Sequence, residues 1–135
     1  MSSKAKLEEF RQRYAVPEGT ILESIEHEVI GAVYRSNGYT TLAEADRLIG
    51  ELGVGPGDRL LDLGAGCGWP GLFLAHSSGC DLVVTDPVHD GLPVALARAE
   101  RDQIDASVVA AVAGGTDLPF RNNSFDGVVH ADVLC

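Results

Sequence analysis

The chain has 135 residues, 45% of them apolar and 22% charged, which suits one folded core and excludes a disordered chain, a collagen-like chain and a long coiled coil. Ten basic residues stand against twenty acidic ones, a net charge of −10. A surface this acidic repels a phosphate backbone, so no nucleic-acid partner is expected.

In chain order, Leu7, Phe10 and Tyr14 lie at helical spacing behind Ser2 and Ser3 as caps. Thr20-Ile21-Leu22-Glu23 has the form of a capping box, and Ile21, Ile25 and Val29 follow on one face. Residues 31–40 read as a loop. Thr41-Leu42-Ala43-Glu44 is a second capping box, opening a helix with Leu42, Ala45, Leu48, Ile49 and Leu52 and with Gly53 as its stop. After Gly55-Pro56-Gly57 the pattern changes. Residues 59–63 form a short strand that ends in glycines. Residues 70–77 predict a helix with proline in its first turn and Gly79 beyond its end. Residues 82–85 are a strand without polar alternation, so both faces should be covered. Asp90 caps a helix running to about 102, with Pro93 in the first turn. Residues 107–112 and 125–131 are the third and fourth strands, the last opened by an Asn122-Asn123-Ser124 turn.

Strands and helices alternating in this way predict right-handed βαβ units and a parallel sheet. Ligands bind such sheets at the carboxyl ends of the strands, beside the topological switch point. The first strand end carries Gly64, Gly66 and Gly68, a GxGxG turn able to bring bare backbone N–H groups against a ligand. Trp69 stands where the dinucleotide fingerprint needs glycine, Gly71 is followed by Leu72 rather than the Lys of a P-loop, and no GxSxG is present. Asp86 closes the second strand twenty residues after Gly66, where a carboxylate can accept both hydroxyls of a ribose. The plain structural alternatives are a glycine turn used only for close packing and an ordinary loop Asp before Pro87.

These residues resemble a class I S-adenosylmethionine-dependent methyltransferase of the small-molecule type. The resemblance covers about residues 38–135 and rests on Leu61-Asp62-Leu63-Gly64-Ala65-Gly66-Cys67-Gly68, on Thr85-Asp86-Pro87, and on Gly115-Thr116-Asp117-Leu118-Pro119-Phe120 followed by Ser124-Phe125-Asp126-Gly127-Val128-Val129. Asn37-Gly38-Tyr39-Thr40-Thr41 and Trp69-Pro70-Gly71 look like a bacterial subgroup. The resemblance implies a Rossmann-like α/β fold with strand order 3-2-1-4, residues 1–53 forming a helical cap and residues 54–135 the cofactor-binding half. It implies S-adenosylmethionine as cofactor and S-adenosylhomocysteine as product. Gly64, Ala65 and Gly66 would face the methionine moiety, with Gly68 completing the loop. Asp62 would take its ammonium group, directly or through water. Asp86, with Pro87 behind it, would hold the ribose. Gly115, Thr116 and Asp117 would meet the adenine edge, where Gly114 stands in place of the acidic residue common in the family. His130 would lie near the transferred methyl, and Tyr39 with Thr40 would close over the cofactor.

The sulfonium methyl is already electrophilic, so the expected chemistry is in-line methyl transfer to a small molecule, governed by alignment. His130 is the candidate base should the acceptor keep its proton, beside the commoner reading of a packed histidine. The alternatives are a non-catalytic cofactor-binding homologue acting through a partner and a nicotinamide oxidoreductase. The resembled fold has seven strands, so the chain reads as truncated after the fourth. Strand four then forms an apolar edge that a dimer or partner chain would cover. Cys67, Cys80 and Cys135 form no CxxC pair, and Met1-Ser2-Ser3-Lys4 opens no secretory signal. With no apolar stretch long enough for a bilayer, a cytoplasmic protein without membrane association is expected. His27, His76 and His89 show no ligand spacing, so no metal site is expected.

Overall fold

A computed structural model describes residues 2–15, 17, 19–36 and 38–131. Asn37 of the subgroup motif and Cys135 lie outside the described residues. Three helices come first: α1 (Ser3–Tyr14), α2 (Ile21–Ile30) and α3 (Leu42–Leu52). The sheet strands β1 (Arg59–Leu63), β2 (Asp81–Asp86), β3 (Val108–Val112) and β4 (Gly127–Val129) follow, with α4 (Gly71–Ser78) and α5 (Leu92–Arg101) as crossovers. A short 3-10 turn, His89–Gly91, leads into α5.

The sheet is parallel with order β3-β2-β1-β4, as expected. Leu61 pairs with Val83 on one side and Val128 on the other, and Val83 pairs with Val109. The chain therefore runs outward from β1 to β3 and then returns to the opposite side of β1. That reversal puts the switch point at the carboxyl end of β1, where the glycine turn stands. β2 is buried along nearly its whole length, which explains its lack of polar alternation. Leu60, Leu72, Leu74, Leu82 and Val84 form the sealed centre between sheet and crossover helices. Gly53 and Gly79 end α3 and α4 in the left-handed conformation, the stops expected of them.

Four local expectations are corrected. The Thr41 capping box forms in full: Thr41 Oγ1 accepts the Glu44 N–H at 3.2 Å and Glu44 Oε2 accepts the Thr41 N–H at 2.8 Å. The Thr20 box does not, because the Glu23 carboxylate takes the Gly19 N–H at 2.7 Å and leaves the buried Thr20 hydroxyl without a partner among the described residues. Helix α2 turns Ile21, Ile25 and Val29 outward, all more than half exposed. Ile30 is its buried residue, and the part-buried Glu26 turns to the following loop, where its carboxylate accepts the N–H groups of Tyr34, Arg35 and Ser36 at 3.0, 3.0 and 2.7 Å. Three backbone donors in a part-buried loop must be satisfied, and that demand fixes the rotation of the helix. Asp90 does not cap α5. It lies in the 3-10 turn and accepts from Arg11 Nε at 3.1 Å, while Gly91 holds the cap position. Strand β4 is also shorter than its pattern, three residues rather than seven. Only Leu60, Leu61 and Asp62 of β1 pair with it, and Val129 is buried while Val128 is half exposed.

Candidate ligand site at the strand ends

The turn after β1 is held by its own backbone. The N–H groups of Gly64 and Ala65 both donate to the Thr85 carbonyl, at 2.8 and 2.9 Å, and the Gly68 N–H donates to the Ala65 carbonyl at 2.8 Å. The Gly66 N–H donates to Asp86 Oδ2 at 2.9 Å. The expectation that this loop offers N–H groups to a ligand is thus corrected: four of its amides are committed inside the protein. A phosphate cradle needs those donors free. The arrangement suits a ligand that brings cationic or hydroxyl donors of its own. Gly66 sits at φ 55°, and a Cβ there would lie 2.9 Å from the Tyr14 hydroxyl, so glycine is required on both counts.

Asp62 lies beneath the turn, 1% exposed. Its Oδ2 accepts the Gly71 N–H at 2.9 Å and so ties the start of α4 to β1. The approach is close enough that a Cβ on Gly71 would come to 2.4 Å of the carboxylate. Burial raises the Asp62 carboxyl to about 7; the Gly71 N–H opposes this and the Asp86 charge adds to it.

Asp86 ends β2 and aims back across the turn. Oδ2 takes Gly66 N–H and Oδ1 takes Val88 N–H at 2.8 Å, and the Tyr14 ring packs over Gly66 beside them. Burial raises this carboxyl as well, against the two backbone donors and the nearby Tyr14 hydroxyl. Cys67, between the loop glycines, is a free buried thiol pushed up to about 11 by burial. It is therefore not a thiolate nucleophile at neutral pH.

Above these groups lies a cavity of about 450 Å³, within the range of small-molecule sites. Gly64, Ala65, Gly66, Asp86 and Pro87 line its floor, and Tyr39 lies on its wall. The wall also includes residues not foreseen as site residues, among them Phe10, Arg13 and Tyr14 of α1, Tyr34 and Arg35 of the loop after α2, and Trp69. Their position has a packing cause. Trp69 is wedged between the Tyr34 and Phe73 rings, with centroids 5.0 and 5.8 Å away, and its Nε1 donates to the Thr40 carbonyl at 2.9 Å. Arg98 of α5 lies over the Tyr34 ring at 5.0 Å and reaches the Cys67 carbonyl at 3.5 Å. The Leu7, Phe10, Tyr14 spacing was the visible signal for the α1 contribution, although its direction toward the strand ends was not.

The cavity does not gather every foreseen residue. Asp62 and Gly68 lie behind the turn rather than on the lining. Gly115, Thr116 and Asp117 follow β3 as an exposed turn, also off the lining. His130 borders a second groove with Thr40, Glu44, Leu48 and Leu52, and among the described residues neither ring nitrogen has a hydrogen-bond partner. Among the described residues no group of three or more His, Cys, Asp or Glu side chains is placed to hold a metal ion.

Comparison with known proteins agrees with this geometry. Residues 60–135, more than half of the chain, match the methyltransferase domain family. The 27-O-demethylrifamycin SV methyltransferase of Amycolatopsis mediterranei is 39% identical over 95 residues, 65% of this chain and 34% of that protein. The chain spans about a third of the length of the curated relatives it matches. A solved geranyl diphosphate C-methyltransferase from Streptomyces coelicolor A3(2), in complex with S-adenosylhomocysteine, is 25% identical with a TM-score of 0.63, covering 89% of this chain and 42% of that one. A geranyl diphosphate methyltransferase with bound sinefungin matches in fold at a TM-score of 0.66 and 21% identity, over 93% of this chain and 55% of that one. By strand order, by the carboxylate facing a glycine turn, and by the matched segment, this chain belongs to the methyltransferase domain family.

Proposed function

We propose that the cavity binds S-adenosylmethionine and that the protein transfers a methyl group to a small-molecule acceptor by in-line displacement. The observation that carries this is Asp86, a buried carboxylate at the end of β2 facing a glycine turn whose amides are already used. A ligand entering there meets acceptors, so it should bring hydroxyl donors and positive charge. A nucleoside sulfonium with an ammonium group does so, and a dinucleotide with its pyrophosphate does not. The net charge of −10 favours the same choice. The residues present therefore fit this cofactor.

When bound, the cofactor supplies a methyl that is electrophilic without further activation. In this reading Asp86 takes the sugar hydroxyls, and Gly64, Ala65 and Gly66 form the bare floor under the methionine arm. Asp62 supports that floor through Gly71 and meets the ammonium group only through an intervening group or water. Gly115, Thr116 and Asp117 border the adenine from the β3 side, and Tyr39 closes the mouth. The work of the chain is alignment and exclusion of water, which supply up to roughly 7–11 kcal/mol of barrier reduction. His130 lies on the neighbouring groove, so we assign it no proton transfer. Residues 1–53 act as a cap over the cofactor-binding half, the protein works in the cytoplasm, and a second copy or partner chain covers the β4 edge, where Val128 is half exposed. Among the described residues no helix is long and apolar enough to cross a membrane.

Calorimetric titration with S-adenosylhomocysteine tests the reading, with NAD as the control. Binding of the first alone is expected. Asp86→Asn should weaken it about 10- to 100-fold, the value of hydrogen bonds to a charged acceptor. Binding of NAD, or an Asp86→Asn titration equal to that of the unaltered protein, would overturn the assignment. Transfer of a labelled methyl group in a metabolite mixture then separates an enzyme from a non-catalytic cofactor-binding homologue.

A further inference from the structure

We propose that Tyr34 and Arg35, backed by the buried Arg98, form an anion seat on the cavity wall, and that it takes the carboxylate of the cofactor's amino-acid arm. This rests on the reading of the cavity as the S-adenosylmethionine site. The arm of that ligand is a zwitterion. Asp86 on the floor suits hydroxyls and positive charge and repels a carboxylate. The loop amides that would otherwise receive an anion are committed inside the turn, Gly64 and Ala65 to the Thr85 carbonyl, Gly66 to Asp86 and Gly68 to the Ala65 carbonyl. The carboxylate must therefore be met by side chains of the wall.

Tyr34 is held ready for this. Its ring centroid lies 5.0 Å from that of Trp69, and the Arg98 guanidinium lies over the same ring at 5.0 Å. Its backbone N–H, like those of Arg35 and Ser36, is held by the Glu26 carboxylate. The side chain is thus fixed in a wall of the cavity, while its hydroxyl has no hydrogen-bond partner among the described residues. Burial, and after it the Asp102 charge, raise the phenol from its ordinary value against Arg98 and Arg101, so at neutral pH it keeps its proton and donates.

Positive charge gathers at the same wall. Arg98 is 4% exposed, and among the described residues its Nε has no partner and its Nη1 makes only a long 3.5 Å contact with the Cys67 carbonyl. A buried guanidinium without a counterion is costly. Arg35 is a second cation on the lining itself, placed by its Nη1 donating to the Tyr14 carbonyl at 2.9 Å. Burial chiefly, with the Arg35 charge adding to it, lowers the Arg98 guanidinium from its ordinary value, and a bound anion offsets both effects. The carboxylates nearby are engaged already, Glu26 by three amides and Glu9 by Arg13. In a chain of net charge −10 this wall is a local positive patch.

Calorimetric titration of the whole chain with two ligands decides the matter: S-adenosylhomocysteine, and S-adenosyl-3-thiopropylamine, the same molecule without its carboxylate. The unaltered protein should bind the second about 100-fold more weakly, as expected for lost hydrogen bonds between charged groups. Tyr34→Phe keeps the ring between Trp69 and Arg98. It should weaken S-adenosylhomocysteine about tenfold and leave the carboxylate-free ligand within about twofold. Arg35→Gln should shift the ratio of the two affinities in the same direction, by about tenfold or more. A merely structural role weakens both ligands alike and leaves that ratio where it was. Equal binding of the two ligands by the unaltered protein, or an unchanged ratio in either variant, would overturn the carboxylate seat and leave the cofactor reading standing. If neither ligand binds, the cofactor reading fails and takes this inference with it.

Discussion

Asp62 is a buried carboxyl whose charge the fold tolerates poorly. Its carboxyl ordinarily titrates at 3.8 and is raised to about 7 in the folded chain, chiefly by burial. Between those values the folded state binds more protons than the unfolded state. Stability therefore falls as pH rises from about 4 to about 7, and levels off above. At about 1.4 kcal/mol per pH unit this amounts to at most about 4 kcal/mol, a large share of the 5–15 kcal/mol typical of a domain. Asp62→Asn keeps an oxygen for the Gly71 N–H and cannot ionise. Urea unfolding of both proteins at pH 5 and pH 8 measures the effect. The variant should exceed the unaltered protein by about 1.5 kcal/mol at pH 5 and by about 4 kcal/mol at pH 8. Asp86 is raised in the same direction and remains in both proteins, so the difference between them reports Asp62 together with its repulsion from Asp86. A stability difference that does not change with pH would refute the reasoning.

The two capping sites should separate in a simple comparison. Thr41→Ala breaks a complete box and should cost about 1 kcal/mol, whereas Thr20→Ala removes a hydroxyl that has no partner among the described residues and should be neutral or stabilising, both read from thermal or urea unfolding. Glu26→Ala should leave the Tyr34, Arg35 and Ser36 amides without their acceptor, costing about 2 kcal/mol and speeding their hydrogen exchange. Glu26→Gln keeps an acceptor oxygen and should retain most of the protection.

How much of this was legible differed by the type of signal. The crossovers and the parallel sheet followed from spacing, because a buried parallel strand is a short apolar run and the stretches between are helical, whereas the strand order 3-2-1-4 came from the family resemblance. Asp86 was legible for the same reason: a strand that ends in an acidic residue delivers it to the switch-point edge. Glu26 was not legible, because a helix read by its apolar face gives Ile21, Ile25 and Val29 as the inward side. The loop that contests this orientation lies eight to ten residues downstream, and nothing in its sequence advertises three amides in need of an acceptor. Tyr14 was half legible. Its helical spacing with Phe10 was plain, and its landing on Gly66 depended on an approach between segments fifty-two residues apart.

The glycine turn illustrates why local motif and chemistry can part. The same GxGxG spacing serves an anion when its amides point outward and a cation or hydroxyl donor when they are spent inward. Here Thr85 decides between them. Its carbonyl, placed by the register of β2 against β1, captures both the Gly64 and Ala65 amides, and Asp86, one residue on, captures the third. The polarity of the seat is therefore a property of strand pairing rather than of the loop. A strand slipped by one residue would move both acceptors away from the loop amides and turn Asp86 to the other face. Ligand charge at such a turn is best read from which acceptors the neighbouring strand brings beneath it, and that question is answered one strand over and about twenty residues away from the glycines themselves.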